Sequence, residues 1–176
     1  PVKLEKGFTL VELIIALAIT VLVSGASAIA LKQIYGGTSH NNSRLTAVQQ
    51  VANAGFWICR DAQRAEVINT SNLTGTDLVT MNWTEWDAAG NPTYYSVNYT
   101  FFNINANIGQ LKRTYWNSSS GSQQNLVGLA LYYNSSDADN TSKATYLNPL
   151  LTVQLTAVVD QVREIRQYTI TRRPNT

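Results

Sequence analysis

The chain has 176 residues, of which 44% are hydrophobic, and a formal net charge of +2 from 13 basic and 11 acidic residues. This length can supply one ordinary hydrophobic core in addition to a membrane segment. Charges of both signs are interspersed without a long basic run, which argues against an electrostatic nucleic-acid surface. Cys59 is the single cysteine among the 176 residues, so no disulfide can form within them.

The longest apolar run covers residues 13–31 and contains no charged residue. As a helix, this run spans roughly 28 Å, about the thickness of one bilayer core. Glu12 lies directly before the run, between apolar neighbours. A carboxylate at the edge of a membrane span is costly without a partner, so this position calls for a functional explanation.

The basic residues around the run predict its orientation. Lys3 and Lys6 precede it, and no basic residue follows until Lys32. Because cytoplasmic flanks carry the excess of lysine and arginine, we expect a cytoplasmic amino terminus and an exported carboxy-terminal domain.

Residues 8–35 are predicted to form one apolar helix after a charged, polar leader at residues 1–7. Gly36-Gly37 and the polar residues 38–43 then interrupt the apolar pattern. A second, amphipathic helix is predicted over residues 44–67, and it continues the first helix if the glycine pair only bends the chain.

This second helix has two predicted faces. The charged face, including Asp61, is interpreted as an ordinary solvated helix surface formed by Arg60, Asp61, Arg64 and Glu66. The apolar face, expected to pack against the rest of the domain, comprises Leu45, Val48, Ala52, Phe56, Cys59, Ala62 and Ala65.

Beyond Asn69, short β-rich runs alternate with Asn, Ser, Asp, Gly and Pro, which predicts strands joined by turns. One face of the second strand is predicted to carry Tyr95, Val97, Tyr99 and Phe101. A Ser-rich loop is predicted at residues 117–124, and the last two strands are predicted to form a hairpin. The predicted strands cover residues 78–83, 93–103, 110–116, 126–133, 150–159 and 163–173.

A helix followed by a series of strands indicates an α+β fold, in which a helix covers one face of an antiparallel sheet. The predicted organisation is a leader (residues 1–7), a transmembrane helix (8–35), a linker with an amphipathic helix (36–68) and a β-rich soluble region (69–176).

One amino-terminal string, followed by an apolar helix, resembles the processing site of type IV pilins and type II secretion pseudopilins: Lys6-Gly7-Phe8-Thr9-Leu10-Val11-Glu12-Leu13. Softer similarities to minor pseudopilins of the J-like type occur at residues 57–65, 97–99, 111–113 and 163–173. Many pilins carry a kinking proline in the membrane helix, whereas residues 13–35 contain none. A local break would have to come from Ser24-Gly25.

The resemblance implies cleavage after Gly7 by a prepilin peptidase, N-methylation of Phe8, and assembly into an extracytoplasmic filament through packed amino-terminal helices. Cleavage would turn the Phe8 nitrogen from an amide into an ammonium that can pair with Glu12 of a neighbouring subunit. The implied partners are the prepilin peptidase, other pilin or pseudopilin subunits, the inner-membrane assembly machinery, and the membrane before assembly.

Two other interpretations of the amino terminus stay open. One is a secretory signal cut after Ala26-Ser27-Ala28, and the other is a plain membrane anchor. Either would deliver an exported or anchored binding domain, such as an adhesin. Glu12 argues against both, because apolar targeting and anchoring segments avoid charge.

No enzyme activity and no cofactor are predicted. His40, the single histidine, lies in a polar segment, and neither a nucleophile motif nor a Gly-rich phosphate loop is present. Asp137 and Asp139 are weak calcium candidates, because an EF-hand loop beginning at Asp137 would need a glutamate where Asn148 stands.

The aromatic residues of the strands are mostly attributed to sheet packing rather than to a carbohydrate or nucleic-acid platform. They comprise Tyr94, Tyr95, Tyr99, Phe101 and Phe102, with Trp83, Trp86 and Trp116 beside them.

Overall fold

The computed structural model describes residues 9–71 and 76–172. Within these residues the chain forms one helix and eight strands. The helix packs against one face of a curled antiparallel sheet, which confirms the predicted α+β fold. The chain divides between Asn42 and Ser43 into two compact units.

The helix α1 comprises Leu10–Arg64. The strands are β1 (Val67–Asn69), β2 (Asp77–Trp86), β3 (Pro92–Asn105), β4 (Ile108–Asn117), β5 (Gly121–Tyr132), β6 (Lys143–Leu147), β7 (Leu150–Val159) and β8 (Val162–Thr171).

In the first unit, the described residues from Leu10 onward are helical and exposed. Of the two possibilities at Gly36-Gly37, the structure has the continuous helix, and residues 38–43, predicted as a linker, are helical too. The helix also runs unbroken through Ser24-Gly25. Each glycine costs a helix only about 1 kcal/mol, which the hydrogen bonds of a long helix offset.

This helix is long and apolar enough to cross a membrane, with a mean hydropathy of 2.5 in its most apolar window and none of that window buried. The core helix of a soluble protein would bury its apolar residues. The hydroxyls of Thr20 and Ser27 each donate to the carbonyl four residues earlier, at 2.8 Å. These polar groups are therefore satisfied inside the apolar segment.

In the second unit, the strands lie in the order β1-β2-β3-β4-β5-β7-β6, and β8 pairs with β7. All of these pairings are antiparallel. The last two strands form the predicted hairpin, with Val159 opposite Val162. Sequence reasoning missed β1 and β6, because runs of three and five residues are too short to show a clear alternation.

The predicted Ser-rich loop at residues 117–124 is wrong in extent, because β5 already begins at Gly121. The Asn117 side chain accepts hydrogen bonds from the backbone N–H groups of Ser119 and Ser120, at 3.0 and 2.5 Å. Gly121 follows with a φ of +77°. An asparagine that closes its own turn, followed by glycine, tightens the predicted loop into a hairpin turn.

The core lies between the sheet and the half of α1 that begins at Ser43. The predicted inward face of β3 is confirmed, since Val97, Tyr99 and Phe101 are buried. On β7 the alternating buried residues are Leu151, Val153, Leu155 and Ala157.

The predicted apolar face of the helix is partly wrong, although Cys59 packs against the core as expected. Leu45 and Phe56 are 57% and 60% exposed, whereas Ala62 and Ala65 are buried as predicted. Helix α1 is apolar on several sides, so periodicity alone could not identify the packed face. The residues that it buries are mostly small or β-branched, which lets the sheet approach closely: Ala47, Val51, Ala54, Gly55 and Ile58.

Gly55 shows how close this approach is. A Cβ at this position would lie 2.2 Å from the Tyr168 ring. The Tyr168 hydroxyl donates to the Val51 carbonyl at 3.0 Å. Strand β8 can therefore cross the helix only where glycine leaves room for the ring.

The interpretation of Asp61 as a solvated helix residue is also wrong, because Asp61 is buried. Its Oδ2 accepts hydrogen bonds from Arg113 Nε and from the Tyr99 hydroxyl, both at 2.6 Å. Its Oδ1 accepts a third from Arg113 Nη2 at 3.0 Å. Burial, and then the Asp61 charge, raise the pKa of Tyr99, so the phenol stays protonated and donates.

Replacing Asp61 with asparagine should therefore destabilise the fold by about 3 to 5 kcal/mol, because the Asp61→Asn variant leaves the buried Arg113 charge without its carboxylate. Urea unfolding of the detergent-solubilised full chain, followed by tryptophan fluorescence, measures this loss. The control is Glu164→Gln, which removes a pair with Arg166 that lies partly in solvent, N to O 3.3 Å. That change should cost about 1 kcal/mol or less, and equal losses in the two variants would contradict the assignment.

Candidate functional site

The candidate site at the start of the chain is only partly described by the structure. Gly7 and Phe8, the predicted processing residues, lie outside the described residues. Thr9 and Glu12 lie within them, and α1 begins between the two at Leu10. Of the predicted site residues, the structure therefore describes Glu12, the predicted assembly residue.

Thr9 and Glu12 form a reciprocal cap at the helix start. The Thr9 backbone N–H and the Thr9 hydroxyl each donate to Glu12 Oε2 at 2.9 Å. The Glu12 backbone N–H lies 3.3 Å from Thr9 Oγ1. This is the capping box, in which the N-cap residue and the third helical residue satisfy each other's backbone donors.

The cap changes the predicted state of Glu12. Sequence reasoning treated its carboxylate as unpaired within the subunit, whereas the structure shows that Thr9 already supplies donors to it. The signal was present in the sequence, because a threonine followed three residues later by a glutamate before an apolar run is the signature of this motif. Thr9 is therefore a residue of the site that sequence reasoning missed.

The Glu12 carboxylate keeps capacity for a second partner. The two capping bonds both end on Oε2, and a carboxylate offers acceptor positions on both of its oxygens. Glu12 is exposed, and within residues 9–71 and 76–172 it forms no ion pair. A cation could therefore bind Oε1 while Oε2 continues to cap the helix.

A second surface of interest lies on α1 within the second unit. Four of the residues that were predicted to face the core instead form an exposed or partly exposed apolar stripe, defined as Leu45, Val48, Ala52 and Phe56. Their spacing of three and four residues places them on one side of the helix. Leu45 and Phe56 are its most exposed members, and Val48 and Ala52 are partly exposed.

The weak calcium candidates lie in the loop between β5 and β6. Asp137 Oδ1 accepts hydrogen bonds from the backbone and side chain of Asn140, at 3.2 and 3.0 Å, and Oδ2 accepts one from the Tyr132 hydroxyl at 3.1 Å. The bonds from Asn140 lower the pKa of Asp137. The Asp139 carbonyl accepts a bond from Gln154. The described residues contain no group of three His, Cys, Asp or Glu side chains that could hold a metal ion.

Comparison with family models identifies the amino-terminal segment. Residues 2–28 match the model of the prokaryotic N-terminal methylation motif. Neither the comparison with curated proteins nor that with solved structures gives a significant match. The matched segment contains Gly7, Phe8, Thr9 and Glu12 and leads into the apolar half of α1. This motif followed by a long apolar helix supports a type IV pilin-like protein that is processed by prepilin peptidase.

Proposed function

We propose that the chain is a structural subunit of an extracytoplasmic filament, specifically a minor pilin or a type II secretion pseudopilin of the J-like type. In this proposal, prepilin peptidase cuts after Gly7, Phe8 becomes the methylated amino terminus, and the subunit leaves the membrane by packing α1 against other subunits. The match of residues 2–28 to the methylation motif carries the proposal. The exposed apolar helix that follows it supports the same role.

Cleavage would supply the charge that Glu12 can bind. Before the cut, the Phe8 nitrogen is part of an uncharged amide, and after the cut it is an ammonium group. The Glu12 Oε1 atom takes part in none of the capping bonds, so it can accept this ammonium from a neighbouring subunit. An unpaired charge in an apolar core is costly, so each of these two charges is stable there only beside the other. The pair would therefore fix the register between subunits.

The apolar stripe supports assembly independently. Before assembly, lipid can cover the apolar residues of the first unit. Leu45 and Phe56 belong to the second unit, which is built around a sheet with its own core, and no apolar side chain among the described residues of that unit covers them. A contiguous exposed apolar surface usually marks an interaction site, and a helix of a neighbouring subunit would cover this one.

The processing step is tested by the intact mass of the protein extracted from membranes. A mature chain that begins at methylated Phe8 is the expected result. A chain that begins at Ile29 would instead show an ordinary signal cut after Ala28, and an uncut chain would show a plain anchor. Either of these results would favour the alternative, an exported or anchored binding domain.

The role of Glu12 is tested by two variants that separate its charge from its capping function. Glu12→Gln keeps an oxygen that can cap the helix but removes the charge, and should abolish incorporation into sheared filaments while leaving cleavage intact. Thr9→Ala keeps the charge but removes the cap, which costs about 0.5 to 2 kcal/mol of local helix stability, and should still be incorporated. Quantitative immunoblotting of the sheared and membrane fractions measures both.

The reverse result would contradict the proposed pairing. If Thr9→Ala were excluded from filaments and Glu12→Gln were incorporated, the cap rather than the charge would be the feature that assembly requires.

The apolar stripe is tested by placing a charge on it. Leu45→Asp should fold as the wild type does, because Leu45 is exposed, yet its incorporation into filaments should fall at least about tenfold as a buried charge replaces an apolar contact. Leu126→Asp is the matched control, a similarly exposed leucine on β5. Equal incorporation of the two variants would show that the stripe is not covered by a neighbouring subunit.

A further inference from the structure

Three exposed aromatic side chains lie diagonally across the sheet face that points away from the helix. They are Trp86 on β2, Tyr94 on β3 and Trp116 on β4, which are 67%, 55% and 42% exposed. Trp86 is paired with Pro92, two residues before Tyr94, and Trp116 is paired with Ser96, two residues after it. Each aromatic residue is therefore the diagonal neighbour of the next on the adjacent strand, and diagonal neighbours in an antiparallel sheet have Cα atoms about 7 to 8 Å apart. We call these three residues the aromatic diagonal.

Packing does not require the aromatic diagonal. On the opposite, helix-facing side of the same strands, Trp83 stacks on Tyr95 with ring centroids 5.3 Å apart and planes 9° apart. Tyr115 lies 5.8 Å from Tyr95. These rings fill the core at this end of the sheet. The solvated face of an antiparallel sheet ordinarily carries polar residues, so three exposed aromatic rings there need another explanation.

A cleft of about 350 Å³ adjoins the aromatic diagonal and is lined in part by Tyr94 and Trp116. Its volume falls within the range of small-molecule sites, roughly 300 to 1,000 Å³. Asn82, Thr84 and Ser96 also line it. In the part of the chain that the structure describes, the side chains of these three residues make no hydrogen bond. Their donors and acceptors are available to a ligand.

The residues of the cleft define the chemical class of that ligand. Glu66 is the one charged residue among the described residues that line it. A single-stranded nucleic acid needs basic side chains along its backbone, and the cleft lining supplies none. A ligand with flat apolar faces and many hydroxyl groups fits both the aromatic rings and the short neutral side chains. Uncharged sugar rings have this combination.

We propose that the aromatic diagonal and its cleft bind an extended, uncharged oligosaccharide. The sugar ring faces lie on Trp86, Tyr94 and Trp116, and their hydroxyl groups exchange hydrogen bonds with side chains such as Asn82 and Ser96. This binding activity goes beyond filament assembly, because it uses the sheet face that points away from α1. Because Trp86, Tyr94 and Trp116 are exposed, sheet packing does not explain these three aromatic residues.

The test is isothermal titration calorimetry of the full chain in a zwitterionic detergent, because a maltoside detergent would itself occupy a sugar site. The probes are cellohexaose, chitohexaose and maltohexaose, with a ten-nucleotide oligothymidine as the charged comparison. We expect saturable binding of at least one hexasaccharide and none of the oligothymidine. Trp116→Ala and Trp86→Ala should each weaken binding about tenfold. Ile165→Ala, a similarly exposed apolar residue on β8, should bind as the wild type does.

Thermal melting followed by circular dichroism verifies that each variant folds, and the high exposure of Trp86 makes Trp86→Ala the safer of the two substitutions. The proposal is overturned if no hexasaccharide binds saturably. It is also overturned if the folded Trp86→Ala variant binds as tightly as the wild type, or if the oligothymidine competes for the same site.

Discussion

The buried ion pair between Asp61 and Arg113 is the constraint on which the arrangement of the second unit depends. A carboxylate near the end of α1 and a guanidinium on β4 can both be buried only in contact with each other, and Tyr99 completes the set of donors. Such a pair adds less to stability than to specificity, because almost any other rotation of the helix would leave one charge buried alone. Together with Gly55, which admits the Tyr168 ring, it determines which side of α1 meets the sheet.

The exposed surfaces follow from that rotation. With Asp61 directed inward, Leu45 and Phe56 point outward on the other side of the helix, where they are available to a neighbouring subunit. The strands in turn present alternate side chains to the helix and to the solvent. Trp83 and Tyr95 therefore pack inside, while Trp86, Tyr94 and Trp116 remain outside. The proposed helix surface for assembly and the proposed sheet surface for a ligand can thus coexist on one small domain.

Strand positions and fold class could be predicted because alternation and turn residues are local signals, as in β3 and in the hairpin of β7 and β8. The packed face of the helix could not be predicted, because its apolar residues occupy several sides. Which side packs against the sheet depends on Arg113, which is 52 residues away from Asp61. Burial of Asp61 contradicts the local expectation for a charged residue beside two arginines. The cap at Thr9 differs from both cases: it is a local signal that was readable and was missed.

At the amino terminus, a local cap and a proposed intersubunit ion pair share the Glu12 carboxylate. Glu12 caps its own helix through Oε2 and is proposed to receive the new amino terminus of a neighbour through Oε1. The most direct test is a helical reconstruction by electron cryomicroscopy of filaments that contain this subunit. We expect the Glu12 carboxylate to lie within about 4 Å of the Phe8 nitrogen of an adjacent subunit, with Leu45 and Phe56 covered by neighbouring helices. A filament in which Glu12 contacts only its own Thr9, with Leu45 and Phe56 still in solvent, would contradict it.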